Sequence, residues 1–148
     1  MDLTILFSPL DESLWDIQYP NNSFFKSIKA YSEKMPDYRG AHIALFGIRE
    51  ERGTDTNVGA SKAPDEIRKK LYQLKKGTGA YTIVDLGNLN AGIDLDETYV
   101  RISEVCRILL ENNVLPILLG GTHDLDYGQY RGYEEMEKLI NFLNIDAF

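Results

Sequence analysis

Gly120-Gly121-Thr122-His123-Asp124 is the segment of this chain whose residue types and spacing point most directly to chemistry. Two glycines allow a tight backbone turn at the end of an apolar run, and the histidine after them would project from that turn. A neutral imidazole placed there is a good ligand for a first-row divalent metal. The alternative is a hydrogen-bonded loop histidine, with Asp124 as the N-cap of the following helix. Asp146 ends the last apolar run and would lie close to His123 if the two strands are neighbours. An imidazole and a carboxylate could share a metal, although two ligands do not make a tight site.

The polar residues that follow apolar runs are Arg49 to Asn57, Asp85 to Asn88, Thr122 to Asp126 and Asp146. Gly47, Gly53 and Gly59 do not form G-x-G-x-x-G, and no G-x-x-x-x-G-K-[ST] occurs, so phosphate-cradle fingerprints are missing. Asp94-Leu95-Asp96-Glu97 reads as the acidic start of a helix, complementing its dipole, rather than as a metal cluster. His42 precedes a strand, at the wrong end for the candidate site, and reads as structural. Cys106 falls on the buried stripe of a helix with no activating neighbour, which makes it an inert core thiol. No catalytic side chain is assigned from these patterns.

The elements that must position these residues form an alternating series from residue 41 onward. Ile43 to Gly47, Tyr81 to Gly87 and Leu115 to Leu119 read as strands, the first and third buried on both faces. Leu139 to Ile145 reads as a fourth. Pro64, Asp65 and Glu66 start a helix that ends with Lys75, Lys76 and Gly77, and its expected inward stripe is Ile67, Leu71 and Leu74. A second helix opens at Asp94 and buries Tyr99, Ile102, Cys106 and Leu109. A third, short helix follows His123 and runs through Glu134 to Lys138. Strands alternating with helices imply right-handed βαβ units: an α/β fold of three layers around a mainly parallel sheet. Residues 1–40 read as an N-terminal extension, with a short strand at Leu3 to Phe7 and an amphipathic helix from Phe24 to Lys34.

Composition limits the function classes. With 16 Lys plus Arg against 23 Asp plus Glu in 148 residues, the net charge of −7 argues against nucleic acid or an anionic membrane as partner. A single cysteine rules out an internal disulfide and any cysteine-rich zinc site. No apolar run approaches the roughly 18 residues of a spanning helix, and the first residues carry no basic leader. A cytoplasmic location is the expectation, and Asn21-Asn22-Ser23 is then not a glycosylation site.

Four blocks of sequence resemble one family, the ureohydrolases, which include arginase, agmatinase and formimidoylglutamase. Gly47 followed by Gly59-Ala60-Ser61-Lys62-Ala63-Pro64-Asp65-Glu66-Ile67-Arg68 is similar to that family's G-A-x-x-A-P-x-x-I-R. Asp85-Leu86-Gly87-Asn88 resembles D-x-G-[DN], Pro116 to Asp124 resembles P-x-x-L-G-G-D-H-S, and Ile145-Asp146-Ala147-Phe148 resembles the start of [ILVF]-D-A-H-x-D. The blocks occur in family order and cover residues 41–148, the N-terminal part of an arginase-like domain that is normally longer.

The resemblance implies a dimanganese hydrolase of guanidino or formimino C–N bonds, formimidoylglutamase-like, with His123 and Asp146 as metal ligands and a homo-oligomeric assembly. It also exposes departures. Thr122 stands where the family has an acidic residue, Asp124 where it has serine, and Phe148 where it has a metal-ligating histidine. A phenyl ring cannot ligate a metal, and the later ligands of the family fall beyond residue 148. The chain is therefore expected to be inactive by itself, as an N-terminal portion of a hydrolase or as a degenerate member acting through association. An unrelated flavin- or nucleotide-binding domain is disfavoured by the missing phosphate loop.

Overall fold

The computed structural model describes residues 2–137, 139–143 and 145. One sheet holds five strands: β1 (Phe7–Ser8), β2 (Lys29–Ala30), β3 (Ile43–Ile48), β4 (Ile83–Leu89) and β5 (Leu115–Leu119). The order is β1-β4-β3-β5, and β2 also pairs with β4. Only the β1–β4 pairing is antiparallel. Helix α1 (Ala63–Leu71) packs on one face. Helices α2 (Leu95–Glu111) and α3 (Asp126–Glu134) cover the other, where Ala44, Phe46 and Ile48 join Ile102, Val105 and Leu109 in the main core. The expected three-layer α/β arrangement with a mainly parallel sheet is therefore present.

The local signals of α2 act as its sequence predicts. The Asp94 carboxylate accepts from the Glu97 amide at 2.7 Å, and the Glu97 side chain accepts from the Ile93 amide at 2.7 Å. These acids cap a helix, which is the role expected of them. Asn113, at φ 59°, ends it in the left-handed conformation that asparagine tolerates. Cys106 is fully buried, and burial pushes its thiol up to about 12, as an inert core cysteine should behave.

Helix α3 lies close against α2 because Gly128 and Gly132 face it. A Cβ at Gly132 would sit 2.6 Å from the Cys106 Cβ and 2.8 Å from the Ser103 carbonyl oxygen. Neither neighbour is a flexible side-chain end, so nothing can yield without moving a helix.

The inward stripe of α1 is not the expected one. Ile67 and Leu74 are 40% and 58% exposed, whereas Pro64, Arg68 and Tyr72 are buried. Arg68 is fully buried because Asp85 of β4, equally buried, receives its Nε and Nη2 protons at 2.9 Å each. Arg68 also donates to the Asn88 side-chain oxygen at 2.6 Å and to the Gly87 carbonyl at 2.8 Å. The Tyr72 hydroxyl donates to Asp85 at 2.8 Å, and its pKa is raised by burial and by that carboxylate. An irregularity in β4 makes this possible. Leu45 to Gly47 spans two steps of β3 but faces the three from Asp85 to Asn88. The extra residue turns at Gly87, φ 81°, where a Cβ would collide with the Ser8 carbonyl.

Other expectations are corrected. Phe24 to Lys34 is not a helix: a 3-10 turn at Phe25–Ser27 leads into β2. The exposed flank of β4 offered unpaired backbone groups, and the Tyr31 amide bonds the Asp85 carbonyl there at 2.9 Å. Leu3–Leu6 forms a 3-10 turn capped by Asp2, leaving only Phe7–Ser8 as strand. Helix α1 ends at Leu71, short of Lys75 and Lys76. β5 is open on one face, with Leu115 48% and Ile117 36% exposed. No strand forms over 139–143, where Leu139, Phe142 and Leu143 are exposed. The remaining residues of that run, and Lys138, fall in part outside the described residues.

Glu50, two residues after β3, is buried and tied to Arg52, whose Nε donates to it at 2.9 Å. Arg52 also donates to the Ile93 carbonyl at 2.8 Å, so the pair fastens the loop after β3 to the start of α2. Those charge-assisted bonds hold the Glu50 carboxyl down to about 2.

Three outcomes follow for urea unfolding monitored by circular dichroism. Arg68→Met should lose about 3–5 kcal/mol, because it strands the Asp85 charge in the core. Gly132→Ala should lose about 1–3 kcal/mol by overpacking the α2–α3 contact. Glu50 has a depressed folded pKa, so its contribution is complete above about 4.5 and disappears as the pH falls towards about 2. The stability gap between wild type and Glu50→Gln should narrow over that window.

Candidate functional site

The carboxyl ends of β3, β4 and β5 open onto three loops: 49–59, 90–94 and 120–122. In open α/β sheets ligands gather at this end, where loops and helix N-termini converge. Gly120 and Gly121 have φ of 71° and 83°, so both adopt the left-handed turn that glycine favours. A Cβ on Gly120 would lie 2.6 Å from the Pro64 ring, and one on Gly121 would strike the Leu125 side chain. The glycine pair thus lets the chain pass between α1 and the 3-10 turn His123–Leu125 that leads into α3.

His123 begins that turn with its side chain 59% exposed at the strand end. Its Nε2 lies 3.4 Å from the Asp126 carboxylate, one helical turn on. A carboxylate beside a ring nitrogen orients an imidazole. Asp126 falls in the polar stretch Thr122 to Asp126 that follows the third strand but is not one of the two expected ligands, and its signal in the sequence is the three-residue spacing from His123.

Asp124 does not cap a helix. Its carboxylate accepts the Tyr99 hydroxyl at 2.5 Å, which ties the His123 turn to α2, and burial together with Asp124 raises the Tyr99 pKa. A Cβ on Gly53 would collide with the same carboxylate, so the loop after β3 closes directly on it. The Asp124 Oδ1 and the Thr122 hydroxyl are both buried without a hydrogen-bond partner among the described residues.

The remaining acids at this end hold the loops. Glu51 accepts from the Gly59 amide at 2.9 Å and the Ser61 hydroxyl at 2.8 Å, bonds that lower its pKa. Arg49 pairs with Asp65. Asp85 and Asn88 serve Arg68. At the opposite end of the sheet, the His42 Nδ1 accepts from the Thr82 amide at 3.0 Å, the structural role expected of it.

Among the described residues no three histidine, cysteine, aspartate or glutamate side chains converge. His123 is the one expected ligand that they include, and Asp146 lies outside them. No helix among them is long and apolar enough to cross a membrane.

Comparison with known proteins completes the picture. A formimidoylglutamase of Streptococcus pyogenes serotype M3 is 28% identical over 133 residues, covering 86% of this chain and 40% of that protein. One from S. pyogenes serotype M5 is 31% identical over 106 residues, covering 68% of this chain and 32% of its own length. The chain thus spans well under half the length of these relatives. The crystal structure of formimidoylglutamase from Bacillus subtilis superposes with a TM-score of 0.65 at 19% identity, over 86% of this chain and 42% of that one. Trypanosoma cruzi formiminoglutamase with Mn2+ gives 0.61 at 20% identity, over 67% of this chain and 37% of that one. The Arginase family model matches residues 41–148, the span that carries the glycine turn, His123 and the Arg68–Asp85 pair. This chain belongs to the Arginase family.

Proposed function

We propose that this chain is the N-terminal portion of a ureohydrolase-type hydrolase of small formimino or guanidino compounds, formimidoylglutamase-like, and that it is inactive alone. In this reading residues 1–40 are an extension packed on 41–148, and the protein is cytoplasmic and homo-oligomeric. The observation that carries it is the glycine-paired turn presenting His123 at the carboxyl end of β5, within a span matched to the Arginase family. The names of the similar proteins support the formimino substrate class, and the manganese in the Trypanosoma structure supports the metal.

When bound, manganese would lower the pKa of water and so supply a nucleophile near neutral pH. His123 and Asp146 would hold the ion, with Asp126 orienting the imidazole. The Tyr99–Asp124 bond fixes the turn from which His123 extends. The Thr122 hydroxyl, without a partner among the described residues, stands where the family carries an acid, so this chain lacks one charge beside the site. Phe148 removes a further ligand. Both departures support the inactive reading.

Manganese titration by calorimetry, combined with an assay of formimidoylglutamate hydrolysis, tests the proposal. The expected result is one weak site that His123→Ala abolishes, and no turnover. Two tightly bound ions per chain with turnover would overturn the inactive reading, and a site unaffected by His123→Ala would remove His123 from it.

A further inference from the structure

Two oxygen atoms of the turn after β5 are shut away from solvent with nothing to bond. The Thr122 hydroxyl and the Asp124 Oδ1 are both sealed, and neither has a hydrogen-bond partner among the described residues. Thr122 as a whole is only 5% exposed. A buried hydroxyl without a partner forfeits its hydration, and a carboxylate forfeits more because it carries a full charge. The other Asp124 oxygen takes the Tyr99 hydroxyl at 2.5 Å, but one neutral donor does not balance that charge. Among the described residues no ion pair includes Asp124, and Arg52 of the adjoining loop is committed to Glu50.

Further oxygen atoms lie against the same turn. A Cβ on Gly121 would stand 3.2 Å from the Ile48 carbonyl oxygen and 3.6 Å from that of Glu50. No described backbone amide donates to the Glu50 carbonyl. Gly53, on the same loop, lies directly on the Asp124 carboxylate. The end of β3 and the loop after it therefore bring carbonyl oxygens to the residue before Thr122 and close over Asp124.

We propose that Thr122 and Asp124 hold an alkali-metal cation, sodium or potassium, on the buried side of this turn. The donors are all oxygen, which suits a hard cation rather than a metal that seeks imidazole or thiolate. One uncompensated carboxylate supplies one negative charge, which one monovalent ion balances. Magnesium and calcium draw on more carboxylates, and the neighbouring Glu50 and Glu51 are already bonded to Arg52 and to loop amides. Carbonyl oxygens that replace a hydration shell are a known way to hold potassium. A trapped water would satisfy the hydroxyl but leave the charge of Asp124 unbalanced. Because both oxygens are already enclosed, a further stretch of protein has no path to them, whereas an ion of about the size of water does. Bound there, the cation joins the loop after β3 to the turn that presents His123.

The site is independent of the hydrolase reading, and its test uses the intact chain with divalent ions removed by a chelator. Thermal unfolding is followed by circular dichroism in chloride salts of sodium, potassium and tetramethylammonium at matched ionic strength. The midpoint should rise with sodium or potassium as mass action requires, and not with tetramethylammonium, which is too large to enter. Asp124→Asn keeps an acceptor for Tyr99 but removes the charge, and should weaken the apparent affinity at least about tenfold. Thr122→Val should weaken it too, whereas His123→Ala should leave it unchanged, so that loss of the manganese reading and loss of this one are told apart. Sodium NMR needs no variant: the line should broaden on adding the wild-type chain and sharpen again on adding potassium. Equal midpoints in all three salts would overturn the proposal in favour of a water. Ion dependence that survives Asp124→Asn would also overturn it, as would stabilisation by magnesium or calcium but by neither alkali metal.

Discussion

A single buried ion pair organises this chain. Arg68 and Asp85 are both completely removed from solvent, and each is a heavy liability alone. Together with Tyr72, Asn88 and the Gly87 carbonyl they leave few unsatisfied valences. The consequence is geometric. Helix α1 can sit on the sheet at only one height and rotation, the one that places Arg68 over the irregular turn of β4. Because Pro64 rides on the same helix, that placement also sets the wall against which Gly120 must turn. The strand-end turn that presents His123 is thus adjusted by a salt bridge on another strand.

Around that turn, nearly every acid has a structural task. Glu50 secures the loop after β3 through Arg52, Glu51 gathers the amides of residues 59 and 61, and Asp124 holds Tyr99. A charged side chain committed to such bonds is unavailable as a ligand without breaking the loop it supports. Among the described residues, most acids at the carboxyl end of the sheet are therefore engaged with the loops, and Asp124 keeps one buried oxygen without a partner. His123 and Asp126 face solvent there, one helical turn apart.

Among the described residues the sheet is closed on one side and open on the other. β1 and β2 both pair with β4, so residues 1–40 complete that edge and supply the aromatic core around Tyr19, Phe25 and Tyr72. At β5 the backbone and two leucine-like side chains face outward, beside the uncovered groove of α1. The family relatives, of which this chain matches less than half, carry more protein than this. An open apolar surface of this kind needs a cover, because exposed hydrocarbon remains unfavourable in water.

The sequence by itself determined the βαβ alternation, the start of α2, the inert setting of Cys106 and the need for glycine at 120 and 121. All of these rest on signals local to a few residues: periodicity, capping acids and left-handed turns. The four ordered motifs also identified the family. Only the tertiary structure decided which face of α1 is inside. Local patterning favours Ile67 and Leu74, because an arginine reads as solvent-exposed until its partner, 17 residues away on a strand, is brought to it. The same holds for Phe24 to Lys34, whose helical periodicity yielded to the unpaired flank of β4, and for Asp124, whose partner Tyr99 lies on a different helix. A buried charge, an edge and a cross-helix hydrogen bond are all pairings between distant segments, and such pairings exist only once the chain has closed on itself.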